Sequence, residues 1–215
     1  MPGACSHVSA FFSPEEEADS HVIRIVGYDH SPLYHLQEGN LALRNKDYQK
    51  AEKYLRRAVN MDSRLSTAWT LLLQALKAQD ATREELEAVI SEMREALSPE
   101  QLPLAEGRAR QILGDAAAAE FAYFKALMLE PESLEVLYTV SSFYLQTTTP
   151  ELAETFLKKM EVIIEADIEK GDNPQAPEQL AWVQDTLTQL AAMKEAEEQK
   201  AAESPGDAPE AEATG

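Results

Sequence analysis

The sequence predicts an all-α fold of stacked helix pairs, and three observations point to it. The stretch GDAAAAEFAYFKALMLEP, residues 114–131, sets four alanines ahead of Phe121, Tyr123 and Phe124. Alanine is the strongest helix former, yet so many small side chains are useful only where another helix approaches closely. The small positions also recur at a constant spacing. Gly107, Ala119, Tyr123 and Ala126 become Gly39, Ala51, Leu55 and Ala58 on moving back 68 residues, and Ala119 and Tyr123 become Ala153 and Leu157 on moving forward 34. Finally, helix start and stop signals cut the chain into segments that alternate in pairs.

Those signals give the elements in order. Residues 1–30 read as a mostly irregular N-terminal arm. Within it His21–Val26 alternates, a pattern that suits a short strand added to a partner, and the favoured expectation is that it packs as an extended arm on the first pair. Ser31-Pro32 offers an N-cap followed by proline at the first helical position, opening a helix that Asn45 ends at Arg44. Asp47 starts its partner, to Met61, and Trp69 lies on the next helix, Ser66 to Ala78. TREE, residues 82–85, and SPEQ, residues 98–101, read as capping boxes, starting helices near Arg83 and Pro99. Gly114 stops the latter. Asp115, Ser133 and Thr149-Pro150 start three more, and Gly171 stops the last of the repeats. Residues 31–171 are thus the expected repeat domain. Residues 172–200 form a linker and a capping helix with Leu180, Val183, Leu187, Leu190 and Ala191 at helical spacing. Residues 201–215 are acidic and lack aromatics, the composition of a disordered tail.

Residues three and four apart share one face of a helix. Ala51, Leu55 and Ala58 form such a face, whose small ends admit a close neighbour while the large centre fills the gap. Each pair then exposes an apolar side that only the next pair covers, so the array must stack. The second copy departs from this pattern. Glu85 and Glu92 stand where the two alanines belong, and Leu86, Val89, Ile90, Met93 and Leu97 make the apolar stripe. A longer or rotated helix is expected there.

Composition narrows the function. A net charge of −19 argues against nucleic-acid phosphate or anionic lipid as the main ligand. A single cysteine, Cys5, excludes an internal disulfide framework and points to a reducing, cytoplasmic compartment. The N-terminus shows no basic and apolar leader pattern, and no stretch has the length of a membrane span. The eight glycines form no phosphate-binding loop. Cys5, His7, His21, His30 and His35 lack the number and spacing of metal ligands. No nucleophile, base and orienting group come together. The expectation is a protein that is not an enzyme and holds no cofactor or metal.

The 34-residue order of large and small residues resembles the tetratricopeptide repeat. The resemblance is carried by GNLALRNKDYQKAEKYLRRAV, AWTLLLQAL, GRARQILGDAAAAEFAYFKALMLEP and SFYLQTTTPELAETFL, over residues 32–165. It implies a right-handed superhelical solenoid of about four helix-turn-helix repeats plus the C-terminal capping helix. It also implies a concave groove, lined by the first helix of each pair, that holds a partner peptide or protein. Carried over copy by copy, the groove residues are Leu36, Asn40 and Arg44, then Thr70, Gln74 and Lys77. Arg108 and Gln111 follow, then Tyr138, Ser142 and Leu145. Arg44, Lys77 and Arg108 put three cations in the groove of an acidic protein, which suits an acidic segment or a C-terminal carboxylate.

The chaperone-binding carboxylate clamp of this family is not implied. Only Asn40 matches it, and Leu36, Leu71, Gln101 and Ala105 replace its lysine, asparagine, lysine and arginine. The implied function is a non-enzymatic interaction scaffold or adaptor. Alternatives are a cytoplasmic chaperone for a secreted or assembling client, and a regulatory subunit of an enzyme or transport complex.

Overall fold

The computed structural model describes residues 31–147, 150–171 and 173–203. The expected N-terminal arm, with His21–Val26, lies outside the described residues. Among the described residues there are nine helices and no strand. They are α1 (Pro32–Arg44), α2 (Tyr48–Met61), α3 (Ser66–Lys77), α4 (Arg83–Ala96), α5 (Leu102–Leu113), α6 (Ala116–Leu129), α7 (Leu134–Leu145), α8 (Pro150–Lys170) and α9 (Ala176–Glu203). The all-α class read from the sequence is the class observed. Helix α9 includes the first three residues assigned to the acidic tail; the rest of that tail lies outside the described residues.

The described residues divide into two compact units, 31–136 and 137–203. In the first, α1 pairs with α2, α3 with α4, and α5 with α6, while α3 lies against both α1 and α5. The turns follow their residues. The Asp47 carboxylate accepts from the Lys50 N–H at 3.2 Å. Thr82 and Glu85 form a complete capping box, the Glu85 carboxylate accepting from the Thr82 N–H at 2.8 Å. Gly114 ends α5 at φ 82°, a left-handed conformation that suits glycine.

The SPEQ segment behaves differently from its motif. The Ser98 hydroxyl does accept from the Gln101 N–H at 3.4 Å, yet the helix begins only at Leu102. A helix from Pro99 would place Pro103 in its interior, where the ring clashes with the carbonyl four residues back. Starting at Leu102 keeps Pro103 in the first turn, where no N–H partner is required.

One contact recurs in the first and third pairs, between residues sixteen apart, and the same register is buried in the others. A Cβ on Gly39 would lie 2.6 Å from Leu55 Cγ, and one on Gly107 would lie 2.3 Å from Cδ1 and Cε1 of the Tyr123 ring. Glycine is there because the facing large side chain fills its Cβ space. Leu55 and Tyr123 are 0% and 1% exposed. The middle pair uses Leu73 opposite the smaller Val89, and the corresponding residues of α7 and α8, Ser141 and Leu157, are fully buried.

The α4 departure is a rotation, since α2, α4 and α6 all have 14 residues. Glu85 is committed to the capping box and Glu92 is exposed, so the buried stripe moves to Leu86, Val89, Ile90 and Met93. Salt bridges reinforce the adjoining α4–α5 seam. Arg110, on α5, reaches Glu87 at 2.6 Å and Asp115 at 3.5 Å, Arg83 reaches Asp115 at 2.5 Å, and Arg94 pairs with Glu106.

In the second unit α8 and α9 pack together. Leu157, Met160 and Ile164 on α8 are buried, as are Ala176, Val183 and Leu190 on α9. Lys158 and Lys194 both bind the Glu154 carboxylate, tying the α9 end to the first turns of α8. Hydrogen bonds from Lys158 and then Lys194 hold that carboxyl at about 2, well below its ordinary value of 4.5.

Candidate functional site

The residues expected to line a groove fall on α1, α3, α5 and α7, and the structure gives them unequal roles. In the 34-residue register Asn40, Gln74 and Arg108 are equivalent, one on each of the three helices that lie side by side. Asn40 is half-buried, whereas Gln74, Arg44 and Lys77 are exposed. Leu36 is half-buried against the apolar core. Thr70 has little surface to offer: it is 8% exposed, and its hydroxyl donates back to the Ser66 carbonyl at 3.3 Å.

Arg108 is engaged rather than open. Its guanidinium lies 2.9 Å from the Glu135 carboxylate, and only 14% of its side chain is exposed. The pair lines a cavity of about 120 Å³ whose rim also holds Glu100, Gln101 and Glu130. A ligand carboxylate reaching Arg108 must exchange with Glu135 and pass two further glutamates. Gln111 is engaged as well, its side-chain oxygen accepting from the Tyr123 hydroxyl at 2.7 Å. Burial pushes the Tyr123 phenol far up, partly opposed by the Arg108 charge, so it remains a neutral donor.

The α7 residues belong with the second unit. The Tyr138 ring lies 5.1 Å from that of Trp182 on α9, so α9 already covers part of the side chain expected to meet a ligand. Ser142 and Leu145 are half-buried. Sequence reasoning missed Glu135 and Trp182 because each acts on a distant residue and neither has a local motif.

The match to a known family falls on the first pair. Residues 34–64, which take in most of α1, all of α2 and their connection, match the family model described as tetratricopeptide repeat. Residues 34–64 thus form a tetratricopeptide repeat. No curated protein matches the chain. In the tetratricopeptide pair at residues 34–64 the fit has a physical basis: Gly39 admits Leu55, and Ala51 and Ala58 are 0% exposed. Tetratricopeptide repeats generally mediate protein–protein contacts, which makes a protein the expected class of partner. Among the described residues no group of three or more His, Cys, Asp or Glu side chains is placed to hold a metal. No helix among them is long and apolar enough to cross a membrane.

Proposed function

We propose that this chain is a non-enzymatic scaffold or adaptor that holds a peptide segment of a partner protein along α1, α3 and α5. The observation that carries this reading is the row Asn40, Gln74 and Arg108, three polar side chains in one register on three adjacent helices. Hydrogen-bonding groups at a constant step suit an extended backbone, whose own donors and acceptors also repeat. Arg44 and Lys77 add exposed positive charge at the last turns of α1 and α3, where the helix dipole also favours cations. An acidic partner segment suits these two, and it gains Arg108 by displacing Glu135. The single cysteine suits a reducing, cytoplasmic setting.

The test is site-specific photocrosslinking in the native cell. A photoreactive residue at Gln74 is expected to trap a discrete protein adduct, and one at Lys53, on the outer face of α2, is not. Adducts of the same partner from both positions, or from Lys53 alone, would place binding elsewhere.

A further inference from the structure

Helix α6 breaks the rule that a surface helix turns a polar face to water. Its buried stripe is Ala119, Ala122, Tyr123 and Ala126. Diametrically opposite lie Ala117, Phe121, Phe124 and Met128, all exposed. Phe121 is 61% exposed, Phe124 59% and Met128 68%. The fold does not demand this. Moving back 68 residues, the same positions on α2 are Gln49, Lys53, Arg56 and Asn60, all exposed and all polar. One helix position is therefore solved in water-facing residues once and in large apolar residues once.

At about 200 Å² for a large side chain, these exposures leave roughly 350–400 Å² of apolar surface in one stripe, the size at which a patch marks an interaction site. The steps from Ala117 to Phe121, Phe124 and Met128 are four, three and four residues. That is the spacing of a coiled-coil seam, and it reads the same in both directions. An isologous two-fold contact requires such self-complementarity. An antiparallel second α6 sets Phe121 opposite Phe124 and the small Ala117 opposite the large Met128. A parallel copy would instead face alanine with alanine and leave a gap.

Charge agrees. Within a chain of net charge −19, α6 carries only Glu120 and Lys125, so the stripe is a neutral island where two acidic chains can meet. The Lys125 ammonium lies 4.3 Å from the centroid of the Phe121 ring, at the edge of the stripe.

We infer that the outer face of α6 is a homodimer seam, in which two copies pair antiparallel through Phe121, Phe124 and Met128. Two stripes together remove roughly 700–800 Å² of apolar surface, less than the roughly 1,200 Å² of the smallest standard interfaces, which is the size of a weak, reversible contact. The dimer is therefore expected to be weak and to depend on concentration. Salt tightens it, because screening relieves the repulsion between two acidic chains while the apolar contact persists.

Sedimentation of the full chain tests this, from about 1 to about 200 μM, a range that brackets micromolar affinity. Wild type is expected to pass from monomer to dimer, with the midpoint falling as salt rises. The variant Phe121→Lys, Phe124→Arg, Met128→Asn grafts the α2 residues onto α6, and is expected to remain monomeric with unchanged helicity and melting temperature. Because this variant sets two cations face to face across the seam, the uncharged variant Phe121→Ser, Phe124→Ser, Met128→Ser is measured beside it and is expected to stay monomeric too, which separates lost apolar contact from local repulsion. In a Cys5→Ser background, a copy with Ala117→Cys mixed with a copy with Met128→Cys is expected to give the mixed disulfide. A wild type that stays monomeric throughout overturns the inference, as does a triple variant that dimerises like wild type. A dimer that salt dissociates overturns it too, and crosslinking of Ala117→Cys only to itself refutes the antiparallel pairing.

Discussion

Replacing Gly107 with alanine sets two effects of opposite sign against each other. Alanine is about 1 kcal/mol better than glycine in a helix interior, so on propensity alone the variant would gain stability. Packing opposes it. The new Cβ would lie 2.3 Å from two atoms of the Tyr123 ring, more than 1 Å inside normal contact. That ring is 1% exposed and its hydroxyl is held by Gln111, so it has no path out toward solvent. Overpacking of a closed site costs about 1–3 kcal/mol; a contact this short takes the upper part of that range, about 2–3, so the expected net loss is about 1–2 kcal/mol after the propensity gain of about 1. Removing the ring reverses the sign: on a Tyr123→Ala background the same Gly107→Ala change is expected to stabilise by about 1 kcal/mol. The coupling in the double-mutant cycle is then about 2–3 kcal/mol. Gly39→Ala should cost less than Gly107→Ala, since Leu55 is a more flexible neighbour than an aromatic ring. Urea unfolding followed by far-ultraviolet circular dichroism measures all of these. If Gly107→Ala raises the midpoint of the wild type, the close-approach account of the glycines is wrong.

Three further expectations follow from the geometry. Ala119→Leu should lower stability by about 1–3 kcal/mol by overpacking a site that is 0% exposed, while Ala118→Leu, on the exposed side of the same helix, should change it little; equal melting temperatures would refute the register. The depressed Glu154 carboxyl contributes stability that is fully present above its ordinary value of 4.5 and lost as the pH falls through about 2. Glu154→Gln should thus be less stable than wild type at neutral pH, with the gap closing across that window; a gap independent of pH would mean the ion pairs contribute nothing. For a partner trapped through Gln74, Arg108→Ala should weaken binding and Glu135→Gln should strengthen it, each by up to about tenfold; titration calorimetry showing both variants at wild-type affinity would remove Arg108 from the binding face.

Much of the fold was legible because its determinants are local or periodic. Gly39 and Gly107, like Leu55 and Tyr123, stood out as recurring positions through a constant spacing, and TREE announced a cap that forms as written. The spacing did not show that each glycine faces the large residue sixteen further on. SPEQ misled because a second local signal, Pro103, outranked it within the same turn. Glu85 was legible as a cap and as a missing alanine, but not that the first role explains the second. A side chain that must reach back to Thr82 cannot also face the core, so the helix turns to bury Leu86. The outward Phe121 and Phe124 were hidden by α6 itself. A helix apolar on every side has no phase in its own periodicity, and only the α2 register fixes which side faces out. The groove was less legible. Arg108 reads as an available cation until Glu135, 27 residues away, is placed beside it, and Tyr138 as a ligand contact until Trp182 arrives from α9. Pairings at such range leave no trace in local pattern.

The six charged residues across the α4–α5 seam have a mechanical consequence. Elsewhere in the first unit neighbouring helices are held mainly by buried alanine, leucine and tyrosine, contacts that ionic strength hardly alters, with the ion pairs of Lys50 with Glu38 and Arg108 with Glu135 beside them. At this seam Arg83, Arg94 and Arg110 face Glu87, Glu106 and Asp115, and such exposed and half-exposed pairs weaken as counterions accumulate. Salt therefore acts on this acidic chain in two senses at once: it relaxes the general repulsion that strains the array, and it softens one joint within it. Between the second and third pairs the apolar α3–α5 packing is expected to hold while the α4–α5 edge loosens, so ionic strength acts on one side of this joint and not on the other.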